Sequence, residues 1–111
     1  LTEQISQAIE EKVDVYSPYN VIEKIEELSA LMSNAALHAA KAKQHFDVCR
    51  KLLHDDGVVK KSDTSSHVES LLSGEAFDRD YTASLKQALQ IRITALQSIL
   101  SYLKSERDAQ R

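Results

Sequence analysis

His38, His45 and Cys49 are the residues whose types and spacing come nearest to a metal-ligating pattern. The two histidines are seven apart on one heptad line, and Cys49 follows His45 by four, so an imidazole and a thiolate share one helical face. A zinc centre usually takes three or four protein ligands, and the chain has a single cysteine. Cys49 also falls on an apolar seam, where a free thiol behaves as a small hydrophobe. These residues are therefore assigned to packing, and neither a metal nor any other cofactor is expected. Carboxylates at Glu10-Glu11, Glu23, Glu26-Glu27 and Asp55-Asp56 are of the type used in acid–base chemistry or divalent-metal binding, but a solvated helix face accounts for them more simply. The chain carries no calcium loop, nucleophile elbow, phosphate-binding glycine loop or zincin motif, so no enzymatic activity is expected.

The cations offer a second kind of chemistry. Lys41, Lys43, Arg50, Lys51, Lys60 and Lys61 gather in one stretch beside His45 and His54, and Tyr81 and Tyr102 are available to stack on bases. Residues 1–27 hold seven acidic and two basic side chains, whereas 41–61 hold six basic and three acidic, so a chain of net charge −3 is polarised along its length. Two accounts compete: matching of the helix dipole with solvation, and a surface for single-stranded DNA phosphates. Arg92 interrupts an apolar face between Leu89 and Leu96. A charge there selects register or oligomeric state by pairing with an acid, for instance from the long second helix, or it binds a phosphate or a partner's carboxylate. The first reading is preferred, and Ala35, Ala39, Ala42, Leu96 and Leu103 join Arg92 as expected register or oligomer contacts.

Positioning these groups falls to helices. Val21, Ile25, Leu28, Met32, Ala35, Ala39, Ala42, Phe46, Cys49 and Leu53 follow an unbroken four-three spacing without Gly or Pro, the mark of a helix with a helical partner. Two Gly, one Pro and no Trp in 111 residues agree with an all-α fold of one domain and one core. Helices are predicted over 2–14, 18–55, 67–73 and 80–108, with a linker over 56–66. Ser17 caps the second, Pro18 takes its first position and Gly57 ends it. Ser66-His67-Val68-Glu69 has the form of a capping box, and Gly74 is expected to stop the third. The last helix carries Leu85, Leu89, Leu96, Ile99, Leu100 and Leu103 on its main face, with Ile91, Ala95 and Tyr102 on another. Apolar groups on two sides need more than one neighbour, so self-association is expected. The architecture expected is an elongated antiparallel hairpin or bundle with coiled-coil character.

One cysteine excludes an internal disulfide and fits a reducing compartment, and no apolar run reaches the span of a membrane helix. A cytoplasmic protein without a membrane span or signal peptide is expected. Tyr81-Thr82-Ala83-Ser84-Leu85, Ile91-Arg92-Ile93 and Leu103-Lys104-Ser105-Glu106-Arg107 together resemble the closing segment of small phage recombination mediators of the UvsY type. The resemblance covers about a quarter of the chain. It implies an all-helical oligomer that binds single-stranded DNA and helps load a recombinase, although this chain is acidic in the N-terminal third where that family is basic. The expectation is a non-enzymatic accessory or assembly factor acting on macromolecules, with the DNA mediator as its sharpest form. The alternatives are a protein-only adaptor or inhibitor presenting a helical surface, for example against host defence, and an oligomer that sequesters a small anionic ligand near Arg92.

Overall fold

A computed structural model describes residues 2–60 and 63–109. The described residues are helical apart from short connections, with α1 at Thr2–Glu10, α2 at Pro18–Asp55, α3 at Ser65–Leu71 and α4 at Ser73–Ala109. The all-α class follows directly. No helix among them is long and apolar enough to cross a membrane.

The longest expectation is met residue for residue: α2 runs unbroken from Pro18 to Asp55. The Ser17 hydroxyl accepts from the Asn20 amide at 3.4 Å, capping a helix that opens on proline. At the other end Gly57 takes φ 75°, the Gly57 amide donates to the His54 carbonyl and the Val58 amide to the Leu53 carbonyl. That pair of bonds is a Schellman close, which needs the left-handed backbone glycine tolerates. All ten seam positions are at least half-buried.

The bounds of α1, α3 and α4 differ from the sequence expectation. The first helix stops at Glu10, not Asp14, because Glu10 and Glu11 are unfavourable at the negative end of the helix dipole and Asp14 instead accepts the Tyr16 amide at 3.1 Å. The cap of α3 is Thr64, whose hydroxyl accepts the His67 amide at 3.3 Å. The expected capping box at Ser66 does not form, since Ser66 lies within α3 and Glu69 pairs with Arg79 at 2.9 Å. Gly74 does not stop a helix. Its φ is not positive, the interruption is the single residue Leu72, and α4 starts seven residues before the expected Asp80.

The chain divides into two compact units, Leu1–Ala35 with Leu85–Arg111, and Ala36–Ser84. Instead of one core, each unit has its own. In the first, Ile5 and Ala8 of α1, Val21, Leu28 and Ala35 of α2, and Leu89, Ile93 and Leu96 of α4 form one cluster. In the second, Phe46, Val59, Val68, Leu72 and Ala76 cluster, with Cys49 and Leu53 against them. Ala35 and Leu96 are thus buried within the chain, so their register contact is made to its own helices and not to a second copy. Leu103 is half-buried against the first cluster, and Ala39 and Ala42 are half-buried on α2.

A charge also enters the first unit. Lys24 is 4% exposed, its ammonium 3.3 Å from both Glu11 Oε2 and Glu27 Oε2. Its position, three after Val21 and four before Leu28, places it on the covered face, and the two carboxylates supply the partners a buried cation requires.

Candidate functional site

In the unit Ala36–Ser84, α2 and α4 bring three different donor groups together. His45 and Cys49 lie one turn apart on α2, with Cys49 Sγ 3.7 Å from His45 Nε2. Glu75, in the first turn of α4, completes a group in which one ring nitrogen, the sulfur and one carboxylate oxygen all lie within 4.8 Å of one another. His45 is exposed, while Cys49 and Glu75 are half-buried. Among the described residues Glu75 has no ion-pair partner. His38 lies about 10.5 Å before His45 along the helix axis and is not part of the group. Sequence spacing supplied the α2 pair but missed Glu75, which falls where a connection was expected.

Among the described residues, the cations on α2 in this unit do not all share one face. Lys41 and Lys43 point about 160° apart around α2, whereas Lys43 and Lys51 differ by only about 80°. Lys43, Asp47 and Lys51 line one shallow depression, and Arg50 pairs with Asp47 at 3.5 Å. Lys60 is exposed at the linker, and Lys61 lies outside the described residues.

Arg79 is the cation with the most partners here. Its guanidinium lies 4.2 Å from the centre of the buried Phe46 ring, with Glu69 and Asp80 each at 2.9 Å. Hydrogen bonds to Asp80 and then Glu69 raise its pKa above the usual arginine value, so it stays charged at every pH the fold meets. Arg79, Arg50 and His54 share a cleft of about 220 Å³ with Asp63 and Glu69, so that cleft carries both signs of charge. Phe77 and Tyr81 stack on the surface, ring centres 5.5 Å apart and planes 9° apart.

The first unit presents a different kind of surface. Val15 and Tyr16, from the connection between α1 and α2, face Ile99, Tyr102 and Leu103 of α4 across a mainly apolar groove of about 480 Å³. Tyr102 is 65% exposed and Ile91, three turns earlier on α4, 63%. The expected second apolar face of the last helix is therefore bare to water in the single chain. Arg92 is half-buried between Leu89 and Leu96, and its Nε is buried without a hydrogen-bond partner among the described residues. The acid expected to pair with it is not found among the described residues, whereas Lys24 in the same unit has Glu11 and Glu27 as partners.

Comparison of the chain with protein-family models, curated proteins and solved structures gives no match.

Proposed function

We propose that the chain is a non-enzymatic helical binding protein that acts by association between helices, with α4 as the associating surface. The observation that carries this reading is the apolar groove of Val15, Tyr16, Ile99, Tyr102 and Leu103. Beside it runs a bare stripe of Ile91, Ala95 and Tyr102 on the same helix. Tyr102 belongs to both. A second copy related by a two-fold axis can lay its stripe on the groove and receive the first copy's stripe in return, the self-complementary geometry of an isologous dimer. A rigid aromatic at the shared point is the residue type that anchors such contacts.

The protein-only adaptor and the recombination mediator both use an associating helix of this kind. They differ in whether the cations of α2 hold phosphates. Divergence of Lys41 from Lys43, and the carboxylate of Asp47 between Lys43 and Lys51, favour the protein-only form.

Light scattering over a range of concentrations, paired with a low-salt titration of single-stranded DNA on the same sample, tests the reading. The wild-type chain is expected to reach a dimer or larger assembly, Tyr102→Glu to remain monomeric with its helicity intact, and neither to retain DNA. A wild-type chain that stays monomeric throughout would overturn the proposal. DNA retention that falls steeply with salt and vanishes on charge reversal at Lys43, Lys51 and Lys60 would replace it with the nucleic-acid reading.

A further inference from the structure

We propose that His45, Cys49 and Glu75 form a binding site for a zinc-like divalent ion, with water as the fourth ligand. Three features of the cluster point to a metal.

The first is the donor set. A thiolate and an imidazole select borderline or soft ions such as zinc over magnesium or calcium, and a carboxylate is an ordinary third ligand for zinc. Three protein groups with an open position is a recognised zinc arrangement, and it removes the shortage of ligands that the α2 pair alone presents.

The second is the spacing. Zinc–sulfur and zinc–nitrogen bonds of about 2.3 and 2.05 Å meeting at a tetrahedral angle put the two donor atoms about 3.6 Å apart. The sulfur and Nε2 are 3.7 Å apart. The corresponding separations from a carboxylate oxygen are about 3.3–3.5 Å, so Glu75, within 4.8 Å of both, needs a movement of roughly 1.5 Å at most. A half-buried side chain can make that by adjusting its terminal torsions.

The third is convergence. In a cysteine–histidine–carboxylate relay the carboxylate holds the imidazole from the side remote from the sulfur, so the three groups run in a line. Here the carboxylate lies within 4.8 Å of the sulfur itself. Groups that converge on a common point suit an ion at that point, and they do not suit proton transfer along a chain.

Binding is an exchange of a proton for a metal. The Cys49 S–H bond breaks as the sulfur–metal bond forms, the proton passes to solvent, and the imidazole and carboxylate give lone pairs without changing charge. No oxidant or reductant is involved. Affinity therefore falls as pH is lowered, because protons compete for the same sites.

Cobalt(II), added to the purified reduced chain, is the probe. The expected result is the intense visible absorption of tetrahedral cobalt together with a thiolate-to-cobalt band in the near ultraviolet, both abolished by an equivalent of zinc. Zinc should also slow maleimide labelling of Cys49 in the wild-type chain by roughly tenfold or more. Glu75→Gln should weaken cobalt binding by roughly tenfold or more, since even outer-shell partners of metal ligands contribute 10- to 100-fold. Cys49→Ser should lose the charge-transfer band while keeping its far-ultraviolet circular dichroism. If the wild-type chain shows neither the cobalt spectrum nor protection of Cys49, the site does not exist. If Glu75→Gln binds as tightly as wild type, the three-ligand assignment is wrong. The wild-type measurements decide the matter even where a variant fails to fold, and association through Tyr102 can fail without affecting them.

Discussion

Leu89→Ala is expected to lower the unfolding free energy by about 2–5 kcal/mol, while Ile91→Ala, two residues further along α4, changes it by no more than about 0.5 kcal/mol. The two side chains are nearly the same size and share one helix. Leu89 is 0% exposed, enclosed by the cluster that holds Ile5, Val21 and Leu28, whereas Ile91 is 63% exposed. Truncating Leu89 removes buried methyl groups and leaves a cavity that packed neighbours fill only in part; truncating Ile91 removes surface already in contact with water. Urea denaturation followed by far-ultraviolet circular dichroism measures both. It should be run at the lowest workable protein concentration, because association through α4 adds a concentration-dependent contribution that Ile91 would share. Equal losses for the two variants at that dilution would show that the covered face of α4 has been assigned wrongly.

Phe46→Ala is expected to cost about 3–5 kcal/mol in the second unit, the range for removing a buried phenylalanine. Phe46 is 3% exposed among Val59, Val68, Leu72 and Ala76, so its ring is the largest apolar group in that cluster. It also carries the Arg79 guanidinium on its face, an attraction of about 0.5–2 kcal/mol depending on exposure. Phe46→Leu separates the two contributions, since it restores most of the apolar volume without a π face and should recover more than half of the loss. The near-ultraviolet signal of the stacked Phe77 and Tyr81 and the far-ultraviolet helix signal provide two views of the transition. A Leu variant no better than the Ala variant would mean that the ring's charge interaction, and not its burial, holds this unit together.

The long second helix was legible in the sequence because its seam is periodic over more than thirty residues and its ends carry Ser17-Pro18 and Gly57, each with a local mechanism. The start of α4 was not. Ser73-Gly74-Glu75 has no apolar period, and glycine within a first helical turn looks the same in sequence as glycine after a last one; only its backbone angle separates the two. Glu75, the third donor beside His45 and Cys49, is therefore not legible in the sequence, because a ligand group built from two helices appears only when both are in place. Lys24 is not visible in the seam pattern because Ile25, next to it, satisfies the heptad. Arg92 is legible as a charge within an apolar face, but spacing alone does not say whether an acid meets it, and its Nε has no partner among the described residues.

Lys24 has a consequence for how α1 is aligned. Dehydrating an ammonium offsets most of what its two carboxylates return, so an apolar residue of similar volume would hold the helices together about as well. What an apolar residue would not do is discriminate between alignments. Glu11, the first residue after α1, is followed immediately by Lys12, and slipping this junction by one residue past α2 would replace an attractive neighbour with a cation facing a cation that has little water to screen it. Oily contacts tolerate such slippage; this pairing forbids it, and the short N-terminal helix is keyed to a single position on its track.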